Sequence, residues 1–245
     1  MGKQKKKYLI TICARGGSKG IKGKNSKVIN GRPLIYYSIN IAKKFLNNFN
    51  GFIGLSTDSQ EIKSIAENYG INTAYIRPSR LSTDSAGKID TIKHLIDFEE
   101  GAGKTKFDYI LDLDVSSPLR TINDLKKAAS LLEKDKKALN IFSVNNCHRN
   151  PYFNQVEKGK DGYYHLIKKT DKPILSRQSA PKVYDLNASF YFFRREFFEM
   201  NYRNAYTEKS LIYMMEHICF DLDEPLDFEF MEYLMVNNKL DFKYY

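Results

Sequence analysis

The chain has 245 residues, enough for one large α/β domain, or a main domain with a modest insertion, to bury a full core without covalent staples. Its 39 Lys and Arg against 29 Asp and Glu give a formal charge of +10, which suits an anionic partner: nucleotide phosphates, nucleic acid and acidic lipid all qualify. Cys13, Cys147 and Cys219 are far apart and form no C-x-x-C pair, which argues against a disulfide framework and a thiolate zinc site and for a reducing, cytoplasmic setting. Lys3, Lys5, Lys6 and Lys7 read as a solvated, disordered tail, and the apolar run that follows is too short for a signal-peptide core. No stretch is long enough to span a membrane, so we expect a soluble protein with no membrane partner.

Residues 8–14 form a short apolar run rich in β-formers that stops at a Gly- and Lys-rich loop, the pattern of a buried strand. Pro33 occupies what should be a first helical position, and Leu34, Ile35, Ile39, Ala42, Phe45 and Leu46 recur at helical spacing as far as Asn48. A strand at 51–56, a helix at 58–69 and a strand at 72–76 follow, with Asp58 and Glu61 at capping-box spacing. Next come a loop at 77–85, a helix ending near Phe98, a strand at 107–113, a turn at Pro118, a helix at 122–134 and a strand at 139–145. Strands alternating with helices predict a Rossmann-like α/β fold, a mainly parallel sheet covered on both faces, with ligands beyond the C-terminal strand ends. The alternation fails between Cys147 and Asp185, where Pro151, Pro173 and Pro181 interrupt a polar segment that reads as a β-arm. It resumes with strands at 186–193 and 211–214 and a closing helix at 226–236, so residues 1–245 make a single domain with 147–185 as an arm within it.

The loop after the first strand, CARGGSKGIKGKNSKVINGRPL, places Arg15, Lys19, Lys22, Lys24 and Lys27 around Gly16, Gly17, Gly20 and Gly23. Glycines let a backbone turn tightly and bring its N–H groups against an anion, and a position just after a core strand is where phosphate sites collect. It is not a Walker loop, which would need Gly at Ser18 and Ser or Thr at Asn25, and no G-x-G-x-x-G is present. ATPase and dinucleotide oxidoreductase readings therefore lose support. Near the C-terminus, Asp221 and Asp223 flank Leu222 in FDLDEP, and on an extended segment residues two apart project the same way. Two such carboxylates suit Mg²⁺ beside substrate phosphates, or a pair that caps the closing helix. His94, His148, His165 and His217 form no metal or haem motif and read as surface or packing residues.

The string ITICARGGSKGIKGKN resembles the signature loop of the N-acylneuraminate cytidylyltransferases, the CMP-sialic acid synthetases. The resemblance continues, in family order over almost the whole chain, through LSTD at 55–58, IRPSRLSTDSA at 76–86, SSPLRT at 116–121, SRQ at 176–178, LNASFY at 186–191 and FDLDEPLD at 220–227. It implies that Arg15, Ser18, Lys19, Lys24 and Asn25 hold the phosphates of CTP, with the N–H groups of Gly16 and Gly17 beside them and Arg77 near the nucleoside. For Arg77 a surface position before a turn proline is an equal alternative. Arg15 and Lys19 are the expected catalytic cations, since charge collects on the departing pyrophosphate. The resemblance favours Mg²⁺ on Asp221 and Asp223. It implies that Arg177, Gln178, Asn187 and Tyr191 face the sugar acid, although Phe190 and Tyr191 read from the residues alone as core strand. It also implies a homodimer in which the arm reaches across, so that Arg177 serves the neighbour's site.

One departure concerns the sugar. Sialic-acid members typically carry glutamine where this chain has Asp114, and the aspartate form resembles the bacterial branch that activates legionaminic acid. Asp114 could accept hydrogen bonds from a sugar hydroxyl or amide, or serve as an additional metal ligand. The expected reaction joins CMP from CTP to the anomeric hydroxyl of a nine-carbon sugar acid and releases pyrophosphate, with no protein nucleophile. N-acetylneuraminic, pseudaminic and Kdo acids are the alternative substrates. A basic nucleic-acid-binding protein is the distant alternative, supported only by charge and tyrosine content, and no nucleic-acid motif accompanies them.

Overall fold

The computed structural model describes residues 6–244, so most of the lysine-rich leader, Lys3 and Lys5 included, lies outside the described residues. In chain order the elements are β1 (Lys7–Cys13), β2 (Val28–Ile29), β3 (Arg32–Pro33), α1 (Leu34–Leu46), β4 (Asn50–Ser56), α2 (Gln60–Asn68), α3 (Lys88–Gly103), β5 (Tyr109–Leu113), α4 (Ile122–Lys134), β6 (Asn140–Asn146), β7 (Val156–Lys158), β8 (Tyr164–Leu166), β9 (Tyr184–Arg194), β10 (Ser210–Met214) and α5 (Pro225–Val236). Six strands form one sheet in the order β10-β6-β9-β5-β1-β4. β9 runs antiparallel to both of its neighbours, β5 and β6, while the other pairings are parallel.

The period-two alternation of β1 sorts the core. Tyr8, Ile10 and Ile12 face the side covered by α1, α2, α4 and α5, whereas Leu9 faces α3 through Ile89, Ile92 and Ile96. Under the first face, Tyr8 packs edge-on against Phe45 and Phe49 and stacks on Tyr109, a cluster that holds α1 against the sheet centre. β1 thus has neighbours on both edges and both faces, so the loop leaving its C-terminal end starts from the most constrained point of the fold.

The mainly parallel, two-faced sheet agrees with the sequence reading, and local boundaries differ for identifiable reasons. Pro33 is the N-cap of α1 rather than its first residue, because Arg32 and Pro33 pair with Val28 and Ile29 in a small hairpin. Ser59, not Asp58, caps α2 by accepting from the Ile62 N–H; Asp58 turns back to the first loop. Residues 72–76 are not a strand: the Thr73 hydroxyl accepts the Tyr75 N–H, and the segment lies outside the sheet, whose edge is β4. α3 continues to Gly103, beyond the expected end near Phe98, and closes on Lys104 in the left-handed region at φ 46°. The excursion from the sheet is shorter than the expected 147–185, because Tyr184 and Asp185 already pair with Asn146 and Asn145 of β6, and within it β7 and β8 form an antiparallel hairpin. β9 carries a bulge opposite Phe142 and Val144, with Ala188 at φ 52°.

Candidate active site

The C-terminal ends of β1, β4 and β5 open onto a cleft of about 300 Å³ lined by Arg15, Ser18, Lys24, Asn25, Arg77, Asp84, Lys88, Asp112, Asp114 and other residues. Its first wall is the loop after β1. Ile21 anchors this loop in the core, the Asn25 side chain donates to the Arg15 carbonyl at 2.9 Å, and the Gly16 N–H donates to Asp58 Oδ1 at 2.8 Å. Gly20 lies so close to the Asp223 backbone that a methyl group there would sit 1.9 Å from the Asp223 carbonyl oxygen. Lys24 adds a second tie, donating to the Leu222 carbonyl and standing 3.6 Å from Asp223 Oδ1. The glycine loop and the FDLDEP segment, some 200 residues apart in sequence, are therefore built onto one another.

Further cations stand beside Lys24. Arg15 and Lys19 both reach one carboxylate, Asp84, at 2.8 and 2.7 Å. Hydrogen bonds from Lys19 and then Arg15 hold Asp84 below the usual carboxylate range. A carboxylate bridging these two cations makes the contacts that a phosphate oxygen pair could make in its place. Arg77 is not a surface residue: it is 6% exposed, and Nε and Nη2 donate to Ser56 Oγ and the Ser56 carbonyl at 2.8 and 2.6 Å. Cys13 also lines the cleft, but burial foremost, with the Asp112 carboxylate adding to it, pushes its thiol up to about 12, which leaves it a poor nucleophile.

The FDLDEP segment tied to this loop is acidic. Leu222 N–H bonds to the Ser116 carbonyl at 2.9 Å, which lays the Asp221–Asp223 segment beside the turn that follows β5. Asp221 Oδ1 is buried without a hydrogen-bond partner, and burial, followed by the charges of Asp114 and Asp223, raises its pKa to about 6 despite a Ser117 hydrogen bond. Neither carboxylate caps α5, which excludes the capping alternative: the N-cap is Glu224, in a capping box with Asp227. A partnerless carboxylate oxygen beside a second, exposed carboxylate fits a hard cation that draws its remaining ligands from phosphate and water. Among the described residues no group of three or more His, Cys, Asp or Glu could hold a metal ion.

The cleft also holds a cluster of which the sequence reading named only Asp114. Lys88 Nζ stands 2.7 Å from Asp114 Oδ2, 3.2 Å from Asp112 Oδ2 and 4.7 Å from the centre of the Tyr191 ring. Burial disfavours its charge, yet Asp114 and Asp112 outweigh that and hold the ammonium well above its ordinary pKa. Burial likewise opposes ionisation of Asp114, but Lys88 and Ser116 keep its carboxyl far below the usual range. Arg120, 2% exposed, fixes the backbone here by donating to the Asp114 carbonyl at 2.7 Å and to Ser38 and Ser189. Asp112 and Asp114 had a visible signal, two carboxylates two apart at a strand end; Arg120 stood inside the SSPLRT string without a role, and Lys88 had no signal, since a single cation at a helix start reads as solvated.

The remaining predicted residues lie elsewhere. Arg177 and Gln178 are exposed on the arm, and Arg177 lines a separate cavity of about 370 Å³ with Asn146, Lys182 and Tyr184. Asn187 is buried and binds Ser143 Oγ at 2.6 Å and Asn145 across β6 and β9. Tyr191 is buried against Phe142 and Phe193, its hydroxyl pushed up to about 12 by burial, and meets the cleft only by placing its ring under Lys88.

The fold and the charged cleft are those of an α/β nucleotidyltransferase. The chain belongs to the cytidylyltransferase family, which it matches over residues 9–243. It is 40% identical over 227 residues to the CMP-N,N'-diacetyllegionaminic acid synthase of Campylobacter jejuni subsp. jejuni, covering 93% of this chain and 94% of that protein. It is 39% identical to the post-translational flagellin modification protein B of Campylobacter coli, covering 96% and 97% of the two chains. The N-acylneuraminate cytidylyltransferase of Escherichia coli is 28% identical over 91% of this chain, which spans 51% of that longer protein. Among solved structures, a CMP:2-keto-3-deoxy-manno-octonic acid synthetase complexed with CTP has a TM-score of 0.66 at 15% identity, over 95% of this chain and 99% of that one, a likeness of fold. No described helix is long and apolar enough to cross a membrane.

Proposed function

We propose that the protein couples CMP from CTP to the anomeric hydroxyl of a nine-carbon, legionaminic-type sugar acid and releases pyrophosphate. The observation that carries this reading is the charged cleft at the strand ends where such sheets bind ligands: Arg15 and Lys19 of the glycine loop share the Asp84 carboxylate, and Lys24 of the same loop holds the segment whose Asp221 Oδ1 is buried without a partner. The 40% identity to a legionaminic acid synthase over nearly the full length of both chains supports the choice of sugar.

In this reading the triphosphate displaces Asp84 from Arg15 and Lys19, and Lys24 and the loop N–H groups complete its contacts. Negative charge grows on the oxygen that bridges the α- and β-phosphorus as the bond breaks, so cations already held in place stabilise the transition state more than the ground state. Asp221 and Asp223 would hold Mg²⁺, which when bound would neutralise phosphate charge. Arg77, pinned by Ser56, borders the nucleoside. No protein nucleophile takes part, in keeping with the raised thiol pKa of Cys13.

The arm completes the site from a second copy. Its exposed Val156, Tyr163, Tyr164 and Leu175 supply an apolar face suited to a homodimer, and Arg177, remote from its own cleft, is free to meet the sugar carboxylate in the neighbour's. CTP supply and the free thiols fit a cytoplasmic enzyme. Pyrophosphate release measured with CTP, ATP, GTP and UTP, each against N,N'-diacetyllegionaminic, N-acetylneuraminic, pseudaminic and Kdo acids, tests the whole reading. CTP with legionaminic acid is expected to give the highest kcat/KM, and turnover of another acid in preference would reassign the sugar.

A further inference from the structure

We propose that Lys88 is a positioning residue that locks the Asp114 carboxylate as a hydrogen-bond acceptor, so that the part of the sugar acid lying on this wall must present a donor, a hydroxyl or an amide N–H. This rests on the reading of function above and deepens it.

An ammonium has three N–H donors, and those of Lys88 are occupied: Asp114 Oδ2 at 2.7 Å, Asp112 Oδ2 at 3.2 Å, and on the remaining side the face of Tyr191 at 4.7 Å. With two carboxylates against one ammonium, the cluster carries a net negative charge. Lys88 is therefore not a further phosphate ligand. Its charge is consumed inside the wall, and a phosphate or carboxylate approaching there meets repulsion.

Asp114 is held from every side. Oδ1 accepts from the Ser116 N–H at 2.9 Å and the Ser116 hydroxyl at 2.8 Å, Oδ2 accepts from Lys88, and the backbone is fixed by Arg120 and by a bond from Asp114 N–H to the Ser189 carbonyl at 3.2 Å. An ionised carboxylate offers about four acceptor positions, so roughly one stays open, on Oδ2. The side chain is 22% exposed and lines the cleft, so that position faces the ligand. An open acceptor on a carboxylate that cannot itself donate selects for a donor and against the analogue lacking it, because the unmatched ligand leaves a desolvated charge unpaired. Hydroxyl and acylamino groups of the sugar thus belong to the β5 wall, and the triphosphate to the Arg15–Lys19 side.

The test measures KM for the sugar acid, KM for CTP, kcat and Tm in four proteins besides wild type. Lys88→Met alone strands Asp112, which is 1% exposed, so Lys88→Met is combined with Asp112→Asn, which preserves the acceptor for the Thr11 hydroxyl at 2.7 Å. In that pair the sugar-acid KM is expected to rise about tenfold or more while the CTP KM stays within about twofold, the signature of lost binding to one substrate only. Lys88→Arg, which keeps the charge, restores most of the sugar affinity. Asp114→Asn raises the sugar KM similarly, and adding Lys88→Met with Asp112→Asn to it produces less than about a further twofold change, because both act through one acceptor. Additive effects, or CTP and sugar KM rising together, overturn the role of Lys88. Failure of wild type to turn over CTP with any of the acids overturns instead the reading of function, so the two failures are separable.

Discussion

Replacing Gly20 with alanine tests whether the glycine loop and the Asp221–Asp223 segment form one unit. The new methyl carbon would lie 1.9 Å from the Asp223 carbonyl oxygen and 3.2 Å from its carbon, with backbone rather than a flexible side chain in the way. The two segments must part by roughly 1.5 Å to restore van der Waals contact. Overpacking of this kind costs about 1–3 kcal/mol, which in a chain of this size lowers Tm by about 2–4 °C per kcal/mol. The functional cost is larger in proportion, because the displacement separates the cations from the carboxylates that must close on the same triphosphate. A misplacement of about 1 Å costs on the order of 10²-fold in turnover. Initial rates of pyrophosphate release at saturating CTP and Mg²⁺, with circular dichroism melts on the same samples, measure both effects. Gly17→Ala, whose methyl would meet no atom within 4 Å, leaves Tm unchanged. A Gly20→Ala protein with turnover within about twofold of wild type would refute the coupling.

The other expectations follow from single contacts. Arg15→Ala or Lys19→Ala leaves the fold intact, by unchanged far-ultraviolet dichroism, and lowers turnover on the order of 10²–10³-fold at saturating CTP, the scale of losing one fixed charge-stabilising donor. Asp84→Asn frees both cations from a competing carboxylate, so equilibrium titration shows tighter CTP binding than in wild type. Asp221→Asn and Asp223→Asn raise the Mg²⁺ concentration needed for half-maximal rate; unchanged Mg²⁺ dependence in both would remove the metal from these residues. His217, whose side chain is 10% exposed, pairs with Asp124 at 2.9 Å. Burial lowers its pKa, but the Asp124 hydrogen bond outweighs it and the net shift is upward from 6.5. The pair therefore stabilises the fold fully below about pH 6.5 and loses this as pH rises through the higher folded value, a contribution on the order of 1 kcal/mol. The Tm gap between wild type and His217→Gln should accordingly be wider at pH 6 than at pH 9.

What could be read from the sequence was local in it. The glycine loop announces itself because its cations and turns fall within residues 15–27, directly after a strand, and Asp221 and Asp223 do so through i, i+2 spacing on an extended segment. Asp112 and Asp114 show the same spacing, yet their meaning depends on Lys88, which only the packing of α3 over β5 and β9 brings between them. Asp84 stood inside a recognised string, but its bridge between Arg15 and Lys19 is a tertiary contact with no periodicity to reveal it. The antiparallel direction of β9 was equally hidden, because buried strands of either direction read as the same apolar run. At residues 72–76 alternation without a partner was misleading: beyond the edge strand β4 no ladder exists to join, and the Thr73 side chain takes a backbone N–H that a strand would have paired.

The central claim is that this cleft transfers CMP to a legionaminic-type acid, and the most direct measurement is Mg²⁺-dependent pyrophosphate release from CTP with N,N'-diacetyllegionaminic acid, with formation of the CMP-linked sugar followed by ³¹P NMR. Stoichiometric pyrophosphate and CMP-sugar are expected with CTP, and none with ATP, GTP or UTP. Pyrophosphate release without a CMP-sugar, or no reaction with any nine-carbon acid in the panel, would contradict it.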